Sequence, residues 1–431
     1  MVTSTDSRTK VSELLTDAAE LRVEVELAVN STPVVDAHTH LFPLEFNDLC
    51  LWGIDELLTY HYLTAETFRS ARIPYEKFWA MSKTDQADVV WKTLFVDNTP
   101  TSEAAQGIIS VLDVFGLDTR APDLREARAF FNSQRPAEHI EQVFEIARVS
   151  GVVMTNDPLD EKEHQFWNRG FTAGTRFKSS LRLDRLLNDW SRGAVALSRQ
   201  GVPVNPDLDA ATITSLRGFL EQWIKRTNAV YIAVSLPADF QFPTDDTRDR
   251  LLREVVLPTA EEQGLPVTLM IGVRRRVNPQ LREAGDGLGR ADVTAIERLC
   301  AQFPEVKFLV TFLSRENQHE LCVAARKFNN LMPFGCWWFL NNPSIVSEIT
   351  RERFELLGQS FIPQHSDARV LEQLIYKWKH ARRQIADALC CSYEQLLHNG
   401  RAVTREEISR DVNRLLSGNF NECVGSAKIR G

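Results

Sequence analysis

Two imidazoles one residue apart end an apolar run, Val34-Val35-Asp36-Ala37-His38-Thr39-His40. In an extended strand side chains alternate between faces, so His38 and His40 project to the same side. Neutral imidazoles placed this way can share a divalent ion. Such a site needs a further ligand, and Asp367 in Gln364-His365-Ser366-Asp367-Ala368-Arg369 ends another apolar run far along the chain. Two imidazoles and a carboxylate leave coordination positions open for a substrate. An aspartate before a helix also serves as an N-cap, and Asp367 suits both roles. Metal binding requires the first and last runs to be neighbours, which a closed barrel of parallel strands provides.

The intervening elements fit that requirement. Short apolar runs bounded by turn residues recur at Val34 to His40, Gly151 to Asn156, Gly174 to Arg182, Val230 to Leu236, Pro266 to Gly272, Val306 to Leu313, Leu331 to Phe339 and Phe361 to Asp367. Most are separated by stretches with helical periodicity, which predicts βα units around a parallel sheet and a distorted eightfold βα (TIM) barrel. Asn342-Pro343 predicts a capped helix start before Ser344 to Leu357, and Gly358 its stop. Thr404 with Glu407 forms a capping-box pattern. The expected organisation is an N-terminal helical segment over 1–33 and a catalytic barrel over 34–431. Within it, 41–150 is too long for a simple crossover and reads as a mostly helical inserted subdomain, covering the barrel mouth or forming a subunit contact.

Composition narrows the partners. The 431 residues carry 50 basic and 58 acidic side chains, a net charge of −8, which argues against nucleic acid as a partner. The seven cysteines form no CxxC pair, so neither a disulfide framework nor a zinc ribbon is expected. The start of the chain has no apolar signal-peptide core, and no run is long enough to span a bilayer. A cytoplasmic protein without membrane contact is the expectation.

The ordered set of motifs resembles the amidohydrolase superfamily, and within it the uronate isomerases. Asp36-Ala37-His38-Thr39-His40 and Asp367-Ala368-Arg369 carry the likeness at the two ends. Between them, His61-Tyr62 is similar to that family's His-Tyr pair. Thr155-Asn156-Asp157-Pro158 is similar to its Thr-Asp-Asp-Pro, Leu181-Arg182-Leu183-Asp184-Arg185 to its Trp-Arg-Pro-Asp-Lys, and Gly335-Cys336-Trp337-Trp338-Phe339 to its Gly-Trp-Trp-Phe.

The resemblance implies an aldose–ketose isomerisation of a hexuronic acid, D-glucuronate to D-fructuronate in type, through an enediolate. It implies one divalent ion, with zinc the expected metal, on His38, His40 and Asp367. Asp367 is the candidate base and Tyr62 the candidate proton shuttle, since a phenol both donates and accepts. His61, Arg182 and Arg369 are the candidate partners for the substrate carboxylate, and one of Trp337 and Trp338 is expected to line the pocket. A homo-oligomer is expected. The chain departs from the family at Met270, which stands in Leu269-Met270-Ile271-Gly272 where the family has a histidine. Arg274, Arg275 and Arg276 follow, and one of them is a candidate replacement for the lost positive group. The alternatives are a metal-dependent hydrolase or decarboxylase acting on a sugar acid, and a sugar-acid binding protein that has lost catalysis.

Overall fold

The computed structural model of the protein describes residues 14–425. Residues 1–13, which hold the start of the expected N-terminal segment, and 426–431 lie outside the described residues. Seven parallel strands follow one another around a curled sheet: β1 (Val34–Thr39), β2 (Val149–Asn156), β3 (Phe177–Arg182), β4 (Ala229–Pro237), β5 (Val267–Arg274), β6 (Phe308–Phe312) and β7 (Leu331–Pro333). Their inward positions, among them Ala37, Val153, Ala233, Met270 and Leu309, form an apolar core inside the curl. Outward positions such as Val152, Ile232 and Ile271 pack with the helices. That two-sided burial explains why the runs are apolar throughout and not alternating.

The expected seventh and eighth strands are mostly absent, and the sequence shows why. β7 stops at Pro333, because Gly335 (φ +66°) and Trp338 (φ +44°) turn the backbone left-handed into a short 3-10 turn, Trp338–Leu340. The eighth run pairs only as an isolated bridge, Phe334 with Ile362. Pro363 has no N–H to give a ladder, and Asp367 is also left-handed at φ +52°. Closure is nonetheless complete on both sides of this segment. Ile362 N donates to Pro333 O at 3.0 Å and Gly335 N to Ile362 O at 2.8 Å, while Asp367 N donates to His38 O at 3.1 Å and His40 N to Ala368 O at 2.7 Å. The Asp36 side chain replaces ladder acceptors, receiving Ser366 N at 3.0 Å and Trp378 Nε1 at 2.8 Å. Burial raises that carboxyl to about 6.

Between β1 and β2 the chain is helical, with α-helices from Ile54–Leu58 to Pro136–Ala147 and no strand. This region packs on the long helix Gln373–His398. A buried pair fastens it there: His139 Nε2 lies 2.7 Å from Glu372 Oε1, and Glu372 also accepts Gly53 N at 3.0 Å. The helix after β7 runs Pro343–Leu357 with Gly358 as its left-handed stop, but Asn342 makes no side-chain cap and its amide donates instead to Ser344 Oγ. The capping box at Thr404 and Glu407 forms as the pattern predicts. One contact had no signal in the sequence: Leu14–Leu15 pairs antiparallel with Val403–Thr404. The opposite end of the curl is stoppered by Phe420 and Cys423, which join the inner core with Tyr231 and Met270.

Candidate active site

The wall between β1 and the segment that closes the barrel brings together the three residues the sequence singled out. His38 Nε2 lies 3.6 Å and His40 Nε2 3.4 Å from Asp367 Oδ1. One ligand atom from each residue falls within 4.8 Å of the others, the only such grouping of three or more among the described residues. The pairing register of β1 against β2 slips between Asp36 and Thr39, so an irregularity sits beneath His38. The two rings lie edge to face with centroids 5.4 Å apart.

The protonation states suit a cation. Burial lowers His38 to about 3 and His40 to about 4, so both imidazoles are neutral and have a lone pair to give. Burial pushes the Asp367 carboxyl up, but the hydrogen bond to His40 and the nearby Lys377 outweigh it and hold it well below the usual carboxylate range. The tautomer of His38 is fixed from behind. Tyr231 Oη donates to Ala37 O at 2.8 Å, so toward His38 Nδ1, 3.4 Å away, it can only accept. The proton therefore sits on Nδ1, and Nε2 is free on the Asp367 side. The donor set, its burial and this support all fit a divalent ion.

Two cavities matter here: His40 lines the first, and none of the trio lines the second. One, of about 430 Å³, is lined by His40, Asp157, Glu163, Arg182, Arg185 and Arg275. Arg182 is held by Asp184 at 2.6 Å, and Arg275 by Asp286 at 2.5 Å. Glu163 receives Asn156 Nδ2 at 3.0 Å and Asp157 N at 3.3 Å, and burial pushes its carboxyl up to about 8. The second, of about 200 Å³, is lined by His61, Tyr62, Glu66, Glu103, Trp338 and Asn341. His61 Nε2 accepts Trp338 Nε1 at 3.0 Å, which places the His61 proton on Nδ1, and burial keeps the ring neutral. Burial also holds the Tyr62 phenol well above its ordinary value, and its hydroxyl has no partner among the described residues.

The remaining residues named from sequence are distributed as follows. Arg369 pairs with exposed Glu283 at 3.3 Å. Trp338 lines the smaller cavity, whereas Trp337 is buried in the inner core. Of the three arginines after β5, Arg275 lines the larger cavity. Tyr231, Glu163, Asn341 and buried Lys377, whose Nζ donates to Ser366 O at 2.7 Å, escaped sequence reasoning. Each is a polar residue in an ordinary setting, Tyr231 in a strand, Glu163 and Lys377 in helices and Asn341 after a 3-10 turn, a signal shared with many residues.

No protein-family model matches the chain, and no curated protein matches it. Solved structures do. A uronate isomerase from Bacillus halodurans is 49% identical, with a TM-score of 0.93, over 95% of this chain and 97% of that one. The chain belongs to the uronate isomerase family. Uronate isomerase from Thermotoga maritima (15% identity, TM-score 0.77, 94% of this chain and 97% of that one) and glucuronate isomerase from Caulobacter crescentus (16%, 0.68, 95% and 94%) share the fold. Within this uronate isomerase family member, Met270 is 1% exposed in the inner core. It packs the barrel there, and its thioether can neither carry charge nor donate a hydrogen bond.

Proposed function

We propose that the protein interconverts aldose and ketose forms of a hexuronic acid, of the D-glucuronate and D-fructuronate type. The observation that carries this reading is the convergence of neutral His38 and His40 with ionised Asp367, beside a cavity that His40 lines, in a chain 49% identical to a uronate isomerase.

Asp367 acts as the base, taking the C2 proton of the open-chain aldose and returning it at C1 of the enediolate. Tyr62, neutral and unpartnered, passes the proton between O1 and O2. Tyr62 is only half-buried, but its hydroxyl is buried, away from bulk water. The substrate carboxylate needs a cation that can change partners. Arg369 is the more readily recruited, because its partner Glu283 is 82% exposed and the pair is screened. Arg182 is held on a half-buried Asp184 that also receives Ser235 N at 2.8 Å, so it offers its free edge only. His61 and Trp338 shape the other side.

His38, His40 and Asp367 would hold one divalent ion, with zinc suited to that donor set, and the ion would add electrostatic stabilisation where negative charge develops on substrate oxygens. In this reading 34–431 is the catalytic barrel, 41–150 its inserted helical subdomain and 1–33 an N-terminal segment. The protein works as a cytoplasmic homo-oligomer, which its seven free cysteines suit. No helix among the described residues is long and apolar enough to cross a membrane.

The test is isotopic. Metal-replete protein incubated with D-glucuronate or D-galacturonate in deuterated water should form the ketose and place solvent deuterium at C2 of recovered aldose, read by NMR. Absence of both ketose and exchange with both acids would remove this reading.

A further inference from the structure

The smaller cavity contains a hydrogen-bond donor that the fold has oriented and left without a partner. Asn341 is 8% exposed, lines this cavity, and its Nδ2 is buried with no acceptor among the described residues. The orientation of its amide follows from a chain of bonds with a fixed end. The backbone N–H of Cys336 can only donate, and it donates to Gln364 Oε1 at 2.8 Å. Gln364 Nε2 must therefore be the donor toward Asn341, which accepts it through Oδ1. The two N–H bonds of Asn341 Nδ2 are left over. A buried amide nitrogen without a partner is costly, so a fold that keeps one beside a cavity has an acceptor arriving from elsewhere.

The lining says which part of a sugar acid that acceptor belongs to. Among the described residues lining this cavity there is no lysine or arginine, whereas Glu66 and Glu103 both face it. Carboxylates there accept from hydroxyl groups and repel a substrate carboxylate, whereas Arg182, Arg185 and Arg275 line the other cavity. We propose that Asn341 is a substrate-binding residue: its Nδ2 donates to a hydroxyl oxygen of the sugar acid, away from the reacting C1 and C2, in the cavity that Tyr62 and Trp338 line. Gln364 is the positioning residue that holds the amide in register. This rests on the hexuronate reading above and deepens it.

Binding of a remote hydroxyl acts equally on ground and transition states, so it moves KM and leaves kcat. Asn341→Leu, close in size but without donors, should raise KM for the hexuronate about 10-fold with kcat within about twofold. Gln364→Glu keeps an acceptor for Cys336 N but cannot donate to Asn341 Oδ1. The amide should then rotate to give Nδ2 to the new carboxylate, and KM should rise although Asn341 itself is intact. The double variant should be no worse than Asn341→Leu alone, since both remove one contact. An unchanged KM in Asn341→Leu with active wild-type protein would overturn the assignment and leave the functional reading standing. A fall in kcat at constant KM would also overturn it, by placing the amide at the reacting carbons. Should Asn341→Leu fail to fold, an unchanged KM in Gln364→Glu overturns the assignment just as well. Wild-type protein that neither binds nor turns over a hexuronate would remove both readings.

Discussion

The arc from β1 to β6 and the arc from β7 to Ala368 close the same barrel by different means. In the first, consecutive strands pair in parallel ladders and the interior receives Val153, Ala233, Met270 and Leu309. In the second, three residues of strand and one isolated bridge are all the regular pairing there is, and Gly335, Trp338 and Asp367 are left-handed. A ladder fixes each side chain to one face at a set height. Irregular backbone escapes that constraint, at about 1–3 kcal/mol for each strained non-glycine residue. Trp338, Asn341 and Asp367 come from the irregular arc, so the wall that costs stability supplies much of the candidate chemistry.

Four experiments press on that contrast. The largest effect is expected at the strained aspartate: Asp367→Asn keeps the shape but loses the base, and kcat should fall about 1,000-fold while a uronate still binds. Retained turnover would move the chemistry off this arc. Next is Gly335→Ala. A methyl there would overlap the His365 ring, and φ +66° disfavours any side chain, so about 3 kcal/mol of unfolding free energy should be lost in denaturant titration. A wild-type midpoint would show the irregular arc to be slack.

Tyr231→Phe tests the regular arc, which touches the trio from behind. Losing the acceptor for His38 Nδ1 should weaken zinc about 10-fold in chelator competition, while the ring still packs. The smallest effect concerns pH. Burial raises Glu163 to about 8 from an ordinary 4.5, so between those values the folded chain binds the proton that the unfolded chain releases. This group's contribution to stability therefore falls as pH rises through that window. Glu163→Gln should flatten the fall, visible as urea midpoints that converge with wild type at low pH and exceed it at pH about 8.

The same contrast explains what could be read in the sequence. Val149–Asn156 and Val267–Arg274 were legible as apolar runs between helical stretches, because two-sided burial writes itself into composition. Runs seven and eight were apolar for the same reason, yet Gly335 and Pro363 end their pairing, and a hydrophobic pattern reports burial, not ladder formation. His38, His40 and Asp367 were legible as a converging trio because alternation along a strand puts both imidazoles on one side and barrel closure brings the first and last runs together. Tyr231 and Asn341 were not, since a tyrosine in a strand and an asparagine in a turn are commonplace until their partners are known.

The stopper at the foot of the barrel bears on how the site is held. Phe420 meets Tyr231 edge to face with centroids 6.3 Å apart, and Tyr231 in turn orients His38. A candidate ligand on the first strand thus gains support from a helix far along the chain, Asn419–Gly425, so the seating of that helix and the geometry offered to an ion are coupled.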